Sequence, residues 1–462
     1  MPWLAASLPR LRGHERGGGV TGRLRRPAAL SVVVALAAAC GTSADPAIPE
    51  QSEPTRSALV RVPEDEPTIS GALESVSPGG MVLISPGTYP EEVTIDTADV
   101  TLRGTDRNAV VIDGGGERSF GVFASADGVR IENLTVRSTL FYGVLVTGMH
   151  DANGPLAHGG PGYTELDPSD FPPVQRFSID HVTAYNNGLY GIYAFNAQHG
   201  SITDSYASGS ADSGFYVGQC EKCDILVASN VAERNAIGFE NANASDSVVI
   251  AGNRWSGNRI GMTLISNYQE AFTPQRDNTV AGNLISHNSS ADSPAHALGG
   301  FGVGLSINGG QGNQVVGNRI EDSPVAGVVL TNAEDIPAAD NEFVANAMSR
   351  NGLDVTDVSS GRTPSRANCF ENNEVTTSAP ASILTAGCAG QQTPGAGGAG
   401  PLPVVPVPDG LSFLDVPAPP DQPVLAEVEV APEPLPATVD LPPASAFPLP
   451  DPTLLAERAA TP

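Results

Sequence analysis

The sequence predicts an all-β solenoid with about 22–25 residues per coil, and three observations carry that expectation. A glycine followed by apolar, variable and apolar residues recurs along the chain. Asparagines recur at the starts of short β-like runs. Composition agrees: Gly 51 and Pro 40 stand beside 16% charged and 5% aromatic residues in 462, and Lys222 is the single lysine. A helical enzyme would carry far more Glu and Lys on its surface. The 40% hydrophobic content still suffices for a large core.

The chain opens on a targeting segment. Arg23, Arg25 and Arg26 precede an apolar run from Ala28 to Ala39 that is too short to cross a bilayer, so residues 1–39 read as a signal peptide. Leu36-Ala37-Ala38-Ala39-Cys40-Gly41 resembles a bacterial lipobox, which implies that Cys40 is the lipidated first residue of the mature protein. Residues 40–57 then form the lipidated cysteine and a linker. Residues 1–39 hold six arginines and one glutamate, so their removal takes the formal charge from −27 to −32. Such a polyanion excludes nucleic acid as a partner, because binding it needs Lys and Arg to displace counterions. The membrane is reached through the lipid anchor alone.

The repeat follows. Its glycines are Gly121, Gly143, Gly191, Gly214, Gly238, Gly261, Gly302, Gly327 and Gly352, at steps of 22, 48, 23, 24, 23, 41, 25 and 25. The two long steps are one period plus an insertion. Asn133, Asn230, Asn253, Asn283, Asn318 and Asn341 form a second series, and Asn235, Asn258 and Asn288 a third, five residues later. Three short strands per period, with Gly or Asn at corners that need positive φ, make one coil. Stacked Asn side chains can hydrogen-bond from rung to rung. Side-chain alternation puts Val144, Ile192, Phe215, Phe239 and Met262 inward. Leu145, Tyr193, Tyr216, Glu240 and Thr263 then point outward.

Val62-Pro-Glu-Asp-Glu-Pro-Thr-Ile, Ser77-Pro-Gly-Gly and Ile84-Ser-Pro-Gly-Thr-Tyr-Pro-Glu-Glu-Val resemble the first coil of right-handed parallel β-helix proteins. These include pectate-lyase-like proteins, alginate epimerases and NosD-type periplasmic proteins. Gly214-Phe-Tyr-Val-Gly-Gln and Ile237-Gly-Phe-Glu-Asn are similar to a bacterial parallel β-helix repeat group. The resemblance covers about residues 60–376 and implies a right-handed parallel β-helix over 58–388. Thr68 to Val76, with Thr68 as N-cap, reads as a short helix plugging the first coil. Residues 389–462 are Gly-rich and then Pro-rich, with Arg458 as their only base, and are expected to be a disordered tail.

The four cysteines beyond Cys40 allow three pairings, and proximity favours Cys220–Cys223 and Cys369–Cys388 as structural disulfides in an oxidising, extracytoplasmic compartment. Insertions after the Gly143, Gly214 and Gly261 strands would wall a groove floored by Tyr193, Tyr216 and Glu240, fit to bind a saccharide. Near that wall, His150-Asp151 or Asp180-His181 could act as base, with Lys222 or Arg234 as the cation a lyase or epimerase needs. The 149–176 insertion adds His158, Asp167 and Asp170. The Asp-Pro-His-Asp of alginate epimerases is absent, as are the paired-Asp and Gly-His-Gly motifs of polygalacturonases. Insertion carboxylates could hold Ca²⁺, but no loop has a ligand spacing. The five Met and seven His are too scattered for copper handling, and no cofactor is expected. The expected function is a monomeric, lipid-anchored β-helix at the cell surface or in the periplasm, binding a polysaccharide or cell-surface glycan, or serving as a scaffold. A polysaccharide lyase, epimerase or glycoside hydrolase is the alternative.

Overall fold

The computed structural model describes residues 56–156, 164–385, 387–388, 402–426 and 429–460. The signal segment, Cys40 and His158 lie outside the described residues. Each regular coil supplies three strands, such as Ile225–Ala228, Val231–Glu233 and Ile237–Ala244. Every strand pairs in parallel with its counterpart one coil on, for instance Tyr216 with Glu240 and Glu240 with Thr263. The first two arms stack into a 20-stranded sheet and the third into an 11-stranded sheet, making a right-handed parallel β-helix. Val144, Ile192, Phe215, Phe239 and Met262 fill one continuous core between the sheets. Apolar side chains buried on successive rungs make each coil depend on the next.

The corners refine the asparagine reading. Asn230, Asn253, Asn283, Asn318, Asn346 and Asn373 form one ladder, each Nδ2 donating to the next Oδ1 at 2.9–3.0 Å. Asn341 belongs to a different ladder with Asn313 and Asn368. Asn235, Asn258 and Asn288 make a third. Asn133 stands one residue before the first ladder. It shares its column with His181, Asp204, Ser229, Gly252, Gly282, Gly317, Ala345 and Asn372, all at φ of 45–64°. This column makes the left-handed bend, and the asparagine after it secures the bend to the neighbouring coils.

The glycine register needs two corrections. Met262 pairs with Leu305, so Gly261 stands opposite Gly304 rather than Gly302. Val328 pairs with Val355, which puts Asp354 rather than Gly352 opposite Gly327. The insertion before the strand Val303–Asn308 ends in several glycines, and Gly302, at φ 77°, belongs to its turn.

The helix Ile69–Ser75 covers the first coil with Ile69, Ala72 and Leu73 buried, and the Thr68 hydroxyl accepts from Gly71 N as expected. Both predicted disulfides are formed.

The described residues of the tail form no sheet, yet they are not the detached, solvated segment that the composition suggests. Residues 402–426 and 429–460 lie extended along the outside of the coils as a strap. Leu402 and Val405 pack on Ile260, Val303 and Val325. The chain then runs toward the first coils, where Leu425 N donates to Asn133 Oδ1 at 2.8 Å and Arg103 to Ala426 O at 2.7 Å. The second stretch runs back. Arg130 donates to Glu433 O, Val439 N to Asp224 Oδ2 and Arg319 to Pro450 O, all at 2.8–2.9 Å. Leu441, Ala444 and Phe447 rest on Val249, Ala251 and Ala281. The buried Arg458 side chain ends the strap, donating to Ser229 O and Ser205 O.

Candidate functional site

The outward column stands where side-chain alternation predicts: Leu145, Tyr193, Tyr216, Glu240 and Thr263 occupy successive rungs of the second sheet. Its exposure differs from expectation. Tyr193 is 0% and Tyr216 2% exposed, so they do not floor an open groove. The 149–176 insertion brings Met149, Leu156, Leu166 and Phe171, and these close over the tyrosines with Phe123 and Phe195. Covering large rings is favourable when the covering loop carries apolar groups of its own. Tyr193 meets Tyr216 edge-on, ring centres 4.8 Å apart.

Further along the same face, polar groups from four elements meet. The Tyr216 hydroxyl donates to Glu270 Oε1 at 2.7 Å, and Ser213 Oγ donates to Glu240 Oε2 at 2.7 Å. His296 Nε2 lies 3.4 Å from Asp212 Oδ2. The loop carrying Glu270 is clamped to the sheet edge, with Gln219 Oε1 accepting from Ala271 N and Asn243 Nδ2 donating to Glu270 O. Burial pushes the Glu270 carboxyl up to about 8, and the charge on Glu240 adds to the shift. Burial and then Asp212 raise Glu240 as well. Burial opposes charge on His296, but Asp212 and Glu240 outweigh it and hold the imidazole up to about 9. The face therefore presents an imidazolium–carboxylate pair beside two carboxyls kept protonated well above their usual range.

Glu240 was legible from the sequence; Asp212, Glu270 and His296 were missed. Asp212 lies two residues before Gly214, so the repeat already puts it at the lip of this sheet. Glu270 lies in the decorated turn after the Gly261 strand. His296 sits in a long insertion whose path no repeat specifies.

The other expected residues stand apart from this cluster. His150 and Asp151 are exposed on a small hairpin with Gly154 and Pro155, where Asp151 Oδ1 accepts from Asn153 N. Asp180 and His181 lie on the first sheet, across the core from the tyrosine column. They do not share its wall, because the strand Val174–Tyr185 belongs to a different side of the coil. Arg234 also stands at a first-sheet corner, and Lys222 lies in the Cys220–Cys223 turn. Asp180, His181 and Asp204 converge, with one ligand atom of each within 4.8 Å of the others. Two guanidiniums crowd this trio. Arg107 is fully buried beneath it, donating to Thr183 Oγ1 and Asp204 O, and Arg458 Nη1 lies 3.4 Å from Asp204 Oδ1. Burial works to raise Asp180, but His181, Thr203 and Arg107 outweigh it and hold its carboxyl low.

The Azotobacter vinelandii mannuronan C-5 epimerase AlgE4 A-module is similar at 16% identity, with 67% of this chain and 88% of that chain covered and a TM-score of 0.43. The PL6 family polysaccharide lyase Pedsa3628 from Pseudopedobacter saltans is similar at 13% identity, covering 71% and 89% with a TM-score of 0.35. No curated protein sequence matches the chain. The family described as periplasmic copper-binding protein (NosD) matches over residues 91–297 and 174–377. Those matches together take in more than half of the 462 residues and coincide with the stacked coils, and the chain belongs to the NosD family.

Proposed function

We propose that the protein is an exported β-helix, anchored through Cys40, that binds an acidic glycan on the outer face of its second sheet beside Asp212, Glu240, Glu270 and His296. One observation carries the reading: two carboxyls from different elements, both raised, lie next to an imidazolium on one face of a rigid sheet. A protonated carboxyl both donates to and accepts from sugar hydroxyls, and a neutral imidazolium–carboxylate pair beside protonated carboxyls spares this face the negative charge with which the rest of the polyanionic surface would repel a uronate. Tyr216 acts as a positioning residue through its hydrogen bond to Glu270. Export is supported by the two disulfides and by the family's periplasmic description. The second reading is polysaccharide cleavage or epimerisation. It is favoured by the same shifts, which bring Glu240 and Glu270 toward the range of a general acid or base at neutral pH.

Copper, which the family description implies, does not fit the residues present. Among the described residues Met81, Met149, Met262 and Met348 are each buried, Met262 and Met348 in the apolar core and Met149 with its sulfur accepting from Gln219 Nε2, and the four cysteines are paired. The one converging trio offers a single imidazole between two carboxylates, crowded by two guanidiniums. Copper favours thiolate, thioether and clustered imidazole. No step is therefore assigned to it.

Full-length protein on an array of uronate-rich and neutral glycans tests the proposal, with a parallel assay for unsaturated uronate products. The expected result is uronate binding that weakens at least tenfold in Glu240→Gln and His296→Ala. Binding unchanged in both variants overturns the site. Product formation lost in Glu270→Gln would favour the enzymatic reading.

A further inference from the structure

The strap offers an unusual kind of ligand. Residues 402–460 hold 15 prolines and nine acidic residues, with one basic residue, Arg458. Proline has no N–H, so a proline-rich extended chain presents carbonyl oxygens that its own backbone leaves unpaired. The sheet answers with arginines. Arg103, Arg130, Arg259 and Arg319 donate to Ala426 O, Glu433 O, Asp409 O and Pro450 O at 2.7–2.8 Å. Arg254 reaches Leu454 O at 3.2 Å. A guanidinium carries five donors in a rigid fork, which suits it to backbone acceptors. The strap's carboxylates act from further off: Asp409, Glu457 and Asp451 feel Arg259, Arg254 and Arg319 through charge alone, and Glu429 meets Arg61 at 3.4 Å with both side chains substantially exposed.

The sheet is also shaped for the strap. In the left-handed corner column, Asn133, His181, Asp204, Ser229, Ala345 and Asn372 hold φ of 45–58° with side chains, so the bend does not itself demand glycine. Glycine stands at Gly252, Gly282 and Gly317, where Phe447 crosses. A Cβ on Gly282 would lie 2.7 Å from Phe447 Cβ and force the strap away, whereas one on Gly252 or Gly317 would make only ordinary contact with the strap at 3.5–3.7 Å. Gly282 is thus the rung at which the coil yields its side chain to Phe447.

We infer that the outside of the coils is a binding track for an extended, proline-rich acidic chain, and that residues 402–460 are its covalently attached ligand. The track reads backbone carbonyls at hydrogen-bond distance and acidic side chains only from further off, so it holds the strap without the peptide link and still holds it at high ionic strength. It also accepts the same segment supplied in trans.

A protease site introduced between residues 389 and 401 of the full chain allows the strap to be severed after folding. The expected result is that the fragment co-elutes with the coils on size exclusion at both 0.1 and 1 M NaCl. A labelled synthetic 402–460 peptide then exchanges into the nicked protein. Phe447→Ala, a change in the strap alone, speeds fragment loss at least tenfold while the β circular-dichroism signal is kept. Separation of the wild-type fragment at low salt overturns the track. Release confined to 1 M NaCl overturns carbonyl recognition, and failure of the peptide to exchange overturns binding in trans.

Discussion

Glu270 is nearly buried, and Tyr216, Glu240, Asp212 and Asn267 face it. Its folded carboxyl titrates near 8 against an ordinary 4.5. The folded state therefore binds the extra proton between those values. The stability this contributes is complete below about pH 4.5 and is lost as pH rises toward 8, at about 1.4 kcal/mol per pKa unit. His296, also raised, acts in the same direction between its ordinary 6.5 and about 9. Melting temperature should accordingly fall from pH 5 to pH 9, and Glu270→Gln should flatten that slope. A slope unchanged in the variant would mean that Glu270 ionises freely in the fold. No sequence pattern announces such a group, because its burial depends on how a loop folds back onto a neighbouring rung.

At the scale of a coil, the asparagine ladders are the feature most nearly legible beforehand. The residue type and its rung-to-rung pairing follow from spacing. The assignment of Asn133 and Asn341 does not, because three corners carry Asn at offsets of one or five residues and spacing alone cannot separate them. The inward column is unambiguous for a different reason: apolar identity and strand alternation agree at every rung. The outward column was placed correctly, but its burial was not, since Met149 and Phe171 mark an insertion as apolar without saying which way it folds. Asn283 shows what a ladder member holds. It donates to Ile250 O and Asn318 Oδ1 and accepts from both nitrogens of Asn253, all at 2.9–3.0 Å. Asn283→Ala strands several buried partners and should cost roughly 3 kcal/mol or more in urea unfolding. A loss under about 1 kcal/mol would mean that water replaces the ladder.

For the molecule as a whole, proline-rich composition disfavours strands in the tail, and none forms among its described residues, but composition hides the docking. Contacts made by arginine to backbone oxygen leave no side-chain signature in the segment that accepts them. The arginines themselves were visible, although nothing in the coil sequence distinguishes one that grips a strap from one that faces water.

A stack in which each turn touches only its neighbours would be expected to unzip from either end, like a one-dimensional array. Here a single ribbon spans distant rungs, tying Arg103 to residue 426 and Arg319 to residue 450 within one chain. Fraying at a terminus must therefore peel a girdle fastened at mid-length. Calorimetry should record one sharp melting transition for the intact protein, broadening toward stepwise loss in the severed Phe447→Ala variant once its ribbon has dissociated.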